Sequence, residues 1–277
     1  MASHRTPARS SRSSRPARTR SSVRRRVGLG VGLAALAGGL ALVVDGTLVP
    51  AADAAPAPKA TVSISGWNLT LPIDSSGCQC GDAEQKSPAA ITSPWLTRSS
   101  SGALVFWAPT KGATTPNSAH PRTELVSTSS FSGDSSSTHT LQATLSIQQL
   151  PPANDIVIGQ IHGGGSSSSI PLLLLHYTSG SLTVWVRPQP STSSTKVATL
   201  LTGVPLNSSF SYIISETGAS MKVSVTHGST TKSTTIALGS GFDGMNLRFQ
   251  AGDYQQSDAN SSSTEGGRLT ISALSKS

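Results

Sequence analysis

Apolar and polar residues alternate with a period of two along most of the chain after residue 60. Leu141-Gln142-Ala143-Thr144-Leu145-Ser146-Ile147, Leu182-Thr183-Val184-Trp185-Val186, Met221-Lys222-Val223-Ser224-Val225 and Leu269-Thr270-Ile271 each place apolar side chains on one face only. That is the signature of half-buried β-strands. Ile170 to Leu175 is a more continuous apolar run, broken by Pro171, and predicts a strand buried on both faces. Long helical periodicity is missing, and Ser, Gly and Asn separate the apolar runs. Many short strands between such turns predict an all-β fold, an antiparallel β-sandwich or jelly roll. About 220 residues, 61–277, suit one such domain with a sizeable core.

The first 54 residues follow another logic. Nine arginines lie between Arg5 and Arg26, an uncharged apolar run extends from Val27 to Val44, and Ala52-Asp53-Ala54 offers a small-x-small cleavage site. This order predicts a secretion signal over 1–54, and so an extracellular protein with no membrane attachment once the signal is cleaved. Arg25-Arg26-Val27-Gly28-Leu29 fits a loose twin-arginine pattern, which arginine-rich leaders also produce by chance. Residues 55–60 read as a Pro/Ala linker. The leader carries most of the net charge. The whole chain is +8. Residues 1–55 hold nine Arg and two Asp, or +7, and the remainder holds 12 Lys+Arg and 11 Asp+Glu, or +1. A nearly neutral domain does not fit a nucleic-acid partner, so affinity for any polyanion has to come from local placement.

Three distant segments carry the candidate chemistry: His120-Pro121-Arg122-Thr123-Glu124-Leu125, Gly159-Gln160-Ile161-His162, and Phe249-Gln250-Ala251-Gly252-Asp253-Tyr254-Gln255-Gln256. As strands, they set Arg122 with Glu124, Gln160 with His162, and Gln250 with Tyr254 and Gln256 on common faces. The opposite faces hold Leu125, Ile161 and Phe249, which suit a core. If the strands are neighbours, a guanidinium, an amide, an imidazole and a phenol meet. Such a set can neutralise a carboxylate, remove a proton and return one. Singly, each residue reads as an ordinary strand, surface or packing residue. Their order and alternation point jointly to a site.

The segments resemble the signature motifs of the alginate lyases of polysaccharide lyase family 7. Arg122-Thr123-Glu124-Leu125 matches the start of Arg-(Ser/Thr)-Glu-Leu-Arg. Gln160-Ile161-His162 matches Gln-(Ile/Val)-His in full. Arg248 to Gln256 aligns with Tyr-Phe-Lys-Ala-Gly-x-Tyr-x-Gln. The lead-in Phe106-Trp107-Ala108-Pro109 … Ser118 is also similar to the family. The resemblance covers roughly Trp67 to the C-terminus. It implies a jelly roll with a concave substrate groove and β-elimination on a 1,4-linked polyuronate, most readily alginate. Arg122 and Gln160 would bind the carboxylate, His162 would neutralise it or act as base, and Tyr254 would be acid or acid/base. His120, Glu124, Arg248, Gln250 and Gln256 are expected to contact substrate. The Gln-Ile-His form is associated with guluronate-containing stretches. No cofactor and no metal are implied, and a monomer is expected.

The match fails at three groove-face positions. Val126 stands where the family has a second arginine, Gln250 where it has lysine, and Arg248 where it has tyrosine. The groove loses two cations and gains one. Either Arg248, Lys111 and Arg187 compensate, or the substrate is another polyuronate such as β-1,4-glucuronan. Two rivals remain. A hydrolase needs two flanking carboxyl groups, and no closely spaced acidic pair appears on one strand face. A carbohydrate-binding jelly roll usually displays a row of aromatics, but aromatic content is 4% and Trp67, Trp95, Trp107 and Trp185 can all serve the core. Ser127–Ser137, Gly163–Ser169 and Ser257–Gly267 read as loops that either cover the groove or simply connect strands. Cys78 and Cys80 either pair or stay free, and a local staple is expected.

Overall fold

The computed structural model describes residues 61–277, so the leader and linker expected over 1–54 and 55–60 lie outside the described residues. The strands run in chain order as β1 (Trp67–Thr70), β2 (Gln85–Lys86), β3 (Leu96–Arg98), β4 (Leu104–Pro109), β5 (Arg122–Ser127), β6 (Phe131–Ser132), β7 (His139–Gln149), β8 (Asp155–Gly163), β9 (Pro171–Thr178), β10 (Ser181–Val186), β11 (Thr195–Leu201), β12 (Phe210–Glu216), β13 (Ser220–His227), β14 (Thr230–Ala237), β15 (Asn246–Gln255) and β16 (Gly266–Lys276). They form two antiparallel sheets. One follows the order β11-β10-β9-β8-β15-β5-β1-β2, with β6 also paired to β15; the other follows β14-β13-β12-β7-β16-β4-β3. This is the expected all-β sandwich.

Alternation produces the layers. In β12, Phe210, Tyr212 and Ile214 are buried while Ile213 is exposed. Leu125, Ile161, Phe249 and Ala251 turn inward from the first sheet and join one buried cluster with Phe106, Leu145, Ile147 and Leu269 of the second. Each large side chain so buried stabilises the fold by about 1.5–3 kcal/mol. Strand β9 covers the continuous apolar run but is not buried on both faces as expected: Leu172, Leu173 and Leu175 are fully buried, whereas Pro171 and Leu174 are half-buried and line a cavity. Trp67 and Trp107 are core residues, whereas Trp95 and Trp185 are half-buried.

Two hydrogen bonds tie the strands that carry the candidate chemistry to the opposite sheet. Thr123 Oγ1 of β5 donates to the Trp107 carbonyl of β4 at 2.7 Å. Tyr212 Oη of β12 donates to the Ile158 carbonyl of β8 at 2.9 Å. Cys78 and Cys80 are bonded to each other in the loop after Pro72, so the local staple is formed.

Asp253 is the one acid of the third segment, and it points into the interlayer, away from the Tyr254 face. It is fully buried, and its Oδ1 lies only 2.2 Å from where a Cβ on Gly267 would sit, which explains the glycine there. Burial pushes its carboxyl well above the usual carboxylate range. A carboxyl raised in this way favours the fold at pH values below its ordinary pKa, and that contribution is lost as pH rises through the raised value. Asp253→Asn is therefore expected to stabilise the protein by about 1–3 kcal/mol in alkaline buffer and progressively less towards pH 4. Thermal melts across pH check this; a difference that grows on acidification would contradict it.

Candidate active site

Strands β8, β15 and β5 lie side by side, and their register brings the three segments together. Arg122 lies opposite Tyr254, Glu124 opposite Gly252, and Val126 opposite Gln250. Across the other edge of β15, Gln250 lies opposite Gln160 and Arg248 opposite His162. Residues directly opposite in an antiparallel pair share a face. Gly252 is required by close approach, because a Cβ there would meet the Thr123 carbonyl oxygen at 2.7 Å and Glu124 Cα at 2.9 Å.

On that face lies a cavity of about 310 Å³ lined by Arg122, Gln160, His162, Arg248, Gln250, Tyr254 and Gln256, among others. The four residues expected to do the chemistry are thus assembled around one space. Among the described residues lining it, none is Asp or Glu. A hydrolase with two flanking carboxyl groups finds no such pair here.

Glu124 differs from expectation. It has no exposed surface and does not line the cavity. It sits beneath the floor, accepting from Arg122 Nη1 at 3.2 Å and from Gln160 Nε2. Burial pushes its carboxyl up, and the Arg122 guanidinium opposes that shift. It thus braces Arg122 and Gln160 from beneath and presents no surface to the cavity. Gln160 Nε2 also lies 3.3 Å from Gln250 Oε1. The Arg122 guanidinium stacks over the Tyr254 ring, with its carbon 3.4 Å from the ring centroid.

His120 also differs. It lies outside the cavity lining, with Nδ1 3.2 Å from Asp258 Oδ1. The reason is local: Pro121 precedes the first residue of β5, so the strand alternation does not extend back to His120. Gln256 does line the cavity, anchored by its Nε2 donating to the Tyr254 carbonyl at 2.9 Å.

His162 Nδ1 lies 3.0 Å from the Gly163 carbonyl oxygen. A carbonyl only accepts, so Nδ1 carries the proton and Nε2 keeps its lone pair. Burial, with the neighbouring Arg122, Arg248 and Arg187 charges, lowers the imidazole pKa to about 4.

Of the three cations expected to replace the missing ones, only Arg248 lines the cavity. Arg187 instead donates to the Pro190 carbonyl at 3.1 Å. Arg122 forms an ion pair with Glu124, whereas Arg248 forms none among the described residues, and the buried Nε of each has no hydrogen-bond partner there. Arg248→Ala is expected to raise the Michaelis constant for a polyanionic substrate about tenfold while changing turnover less, since roughly 1.4 kcal/mol of ground-state binding is lost. Steady-state kinetics at low salt test this, and an unchanged constant would reject Arg248 as the substitute cation.

Thr70, Gln85, Ser118, Ser168, Ser169 and Leu174 also line the cavity, and the strand pattern alone does not mark them. Ser118 Oγ lies 3.1 Å from Tyr254 Oη. Its only sequence signal was its place in the lead-in before Arg122. Of the three Ser/Gly-rich loops, only the one after β8 contributes lining residues, Ser168 and Ser169.

An antiparallel sheet that sets a guanidinium, an amide, an imidazole and a phenol around a cavity lined by no Asp or Glu among the described residues fits the class of polysaccharide lyases. A family profile described as alginate lyase matches residues 62–277, and the chain belongs to that family. Its fold is similar to that of an alginate lyase from Pseudomonas aeruginosa, at 32% identity and a TM-score of 0.68 over 78% of this chain and 99% of that one. It is also similar to an alginate lyase described as a member of polysaccharide lyase family 7, at 25% identity and a TM-score of 0.65 over 78% and 96%. An alginate lyase from Klebsiella pneumoniae is 37% identical over 81 residues, which span 28% of this chain and 26% of that relative.

Proposed function

We propose that the protein cleaves a 1,4-linked polyuronate, alginate foremost, by β-elimination. The observation that carries this reading is the convergence of Arg122, Gln160, His162 and Tyr254 on one cavity that no carboxylate lines. The C5 proton of a uronate is weakly acidic while its carboxylate keeps full charge. Arg122 supplies fixed charge to that carboxylate as negative charge moves onto it, and Gln160 adds an N–H by turning it from Gln250 Oε1, 3.3 Å away, to the substrate. The neutral His162 takes the C5 proton at Nε2. The electrons of the broken C–H bond form the C4–C5 double bond, the C4–O4 bond breaks, and Tyr254 protonates the departing oxygen.

Neutral imidazole is the working form in this scheme. With its pKa near 4, activity is expected to hold through mildly acidic buffer and fall only as pH drops through about 4. A kcat/KM profile with an acid limb near the ordinary histidine value would contradict this assignment.

The reaction itself is tested by incubating purified protein with alginate and following ultraviolet absorbance from unsaturated ends. Reducing ends without absorbance would indicate hydrolysis, and neither signal would indicate a binding module. A second substrate reading, another polyuronate such as β-1,4-glucuronan, is favoured by the neutral Val126 and Gln250 at positions where the family carries cations. Running both polymers in the same assay separates the two. The leader pattern supports action outside the cell after removal of residues 1–54, which the mass of the mature N-terminus tests.

A further inference from the structure

The cavity runs across the strands. Its lining passes from Gln85 on β2 and Thr70 on β1, through β5, β15 and β8, to Leu174 on β9. One cross-strand row follows the same course, and it does not stop at the cavity. Val126 pairs with Gln250, Gln250 with Gln160, and Gln160 with Leu174. Leu174 then pairs with Trp185 on β10, and Trp185 with Lys196 on β11. Paired residues share a face, and Leu174 lines the cavity, so Trp185 and Lys196 stand on the groove side of the same sheet. With strands spaced roughly 4.8 Å apart, the Trp185 backbone lies roughly 10 Å beyond that of Gln160, and the Lys196 backbone roughly 14 Å.

Trp185 is half-buried and Lys196 exposed. The indole is held from below: its Nε1 donates to Thr183 Oγ1 at 3.2 Å, and its ring lies 5.4 Å from that of His176. His176 is in turn fixed by Asp155 at 2.9 Å. The built-up side of this surface therefore ends in an oriented aromatic face followed by an ammonium. A ring face suits the C–H face of a sugar, and an ammonium suits a carboxylate.

We propose that Trp185 and Lys196 form a distal subsite that binds a sugar of the same polyuronate chain beyond the cutting point. The proposal rests on the polyuronate lyase reading above. It makes the enzyme sensitive to chain length, since a trisaccharide seated at the cavity does not extend to Lys196, whereas a polymer does.

The test measures Michaelis constants for polymer and for trisaccharide, using whichever polyuronate the wild-type protein cleaves, with ultraviolet detection. In Trp185→Ala, the ratio of the polymer constant to the trisaccharide constant is expected to rise about tenfold relative to wild type. Lys196→Glu, on an exposed edge strand where folding is not at stake, is expected to shift the ratio in the same direction and to do so less at high salt. Trp185→Phe is expected to restore much of the polymer affinity. A ratio unchanged in Lys196→Glu and in every folded Trp185 variant overturns the distal subsite while leaving the lyase reading intact. A wild-type protein that yields no unsaturated ends from any polyuronate overturns the lyase reading, and the subsite with it.

Discussion

Tyr254→Phe is expected to lower kcat by about 10²–10⁴-fold, the usual contribution of a positioned proton donor. The substitution removes one oxygen and leaves the ring, so the stacking of Arg122 over that ring, at 3.4 Å, survives. The strand pairing of Tyr254 with Arg122 involves only backbone. Fold and substrate affinity should therefore change little, and the defect should fall on turnover. Ser118 Oγ loses its partner hydroxyl at 3.1 Å, but that contact is replaceable by water at the cavity. Turnover and melting temperature measured on the same preparation check this. A variant that keeps more than about a tenth of wild-type turnover would remove Tyr254 as the acid.

Glu124→Ala carries the second large effect, and it acts on both stability and rate. The carboxylate has no exposed surface, and it takes hydrogen bonds from Arg122 and Gln160. Arg122 is itself nearly buried, with 8% of its side chain exposed, so the deletion leaves a cation without its counter-charge. Breaking such a pair costs about 3–5 kcal/mol. Because both released side chains are the proposed carboxylate binders, kcat/KM should fall by about 10²-fold or more as well, in line with losing a preorganised electrostatic donor. Glu124→Gln separates the two effects. It keeps the volume and one acceptor for Gln160 but opposes a donor to Arg122, so it should be milder in stability than in activity. Calorimetry and steady-state kinetics decide. Wild-type kinetics in a folded Glu124→Ala variant would show that the two side chains need no such support.

The same residues show where reading along the chain succeeds and where it stops. Arg122, Gln160, His162 and Tyr254 are legible because each sits in a strand segment whose other face is apolar: Leu125, Ile161 and Phe249 go inward, so their neighbours go outward. The same alternation places Glu124 on the groove face, and the alternation holds. What it does not convey is depth. A side chain on the groove face can still be roofed by Arg122 and Gln160, and only the packing of three strands reveals this. His120 failed for a different reason, since Pro121 ends the strand that the pattern extended through it. Asp253 alternates with Tyr254 and so turns away from it, but its burial at Gly267 depends on a strand from the opposite sheet.

What the amino-acid order determined on its own is the strand periodicity, the two-layer class and the identities of the groups able to move a proton. These are local properties, set by side-chain direction over two or three residues. Only the tertiary structure decided which strands became neighbours, and therefore that Arg248 lines the cavity while Lys111 and Arg187 do not, that Ser118 reaches Tyr254, and that Trp185 continues the row begun at Val126. Strand pairing joins residues far apart in sequence, and its register is chosen by the whole buried core rather than by any one segment.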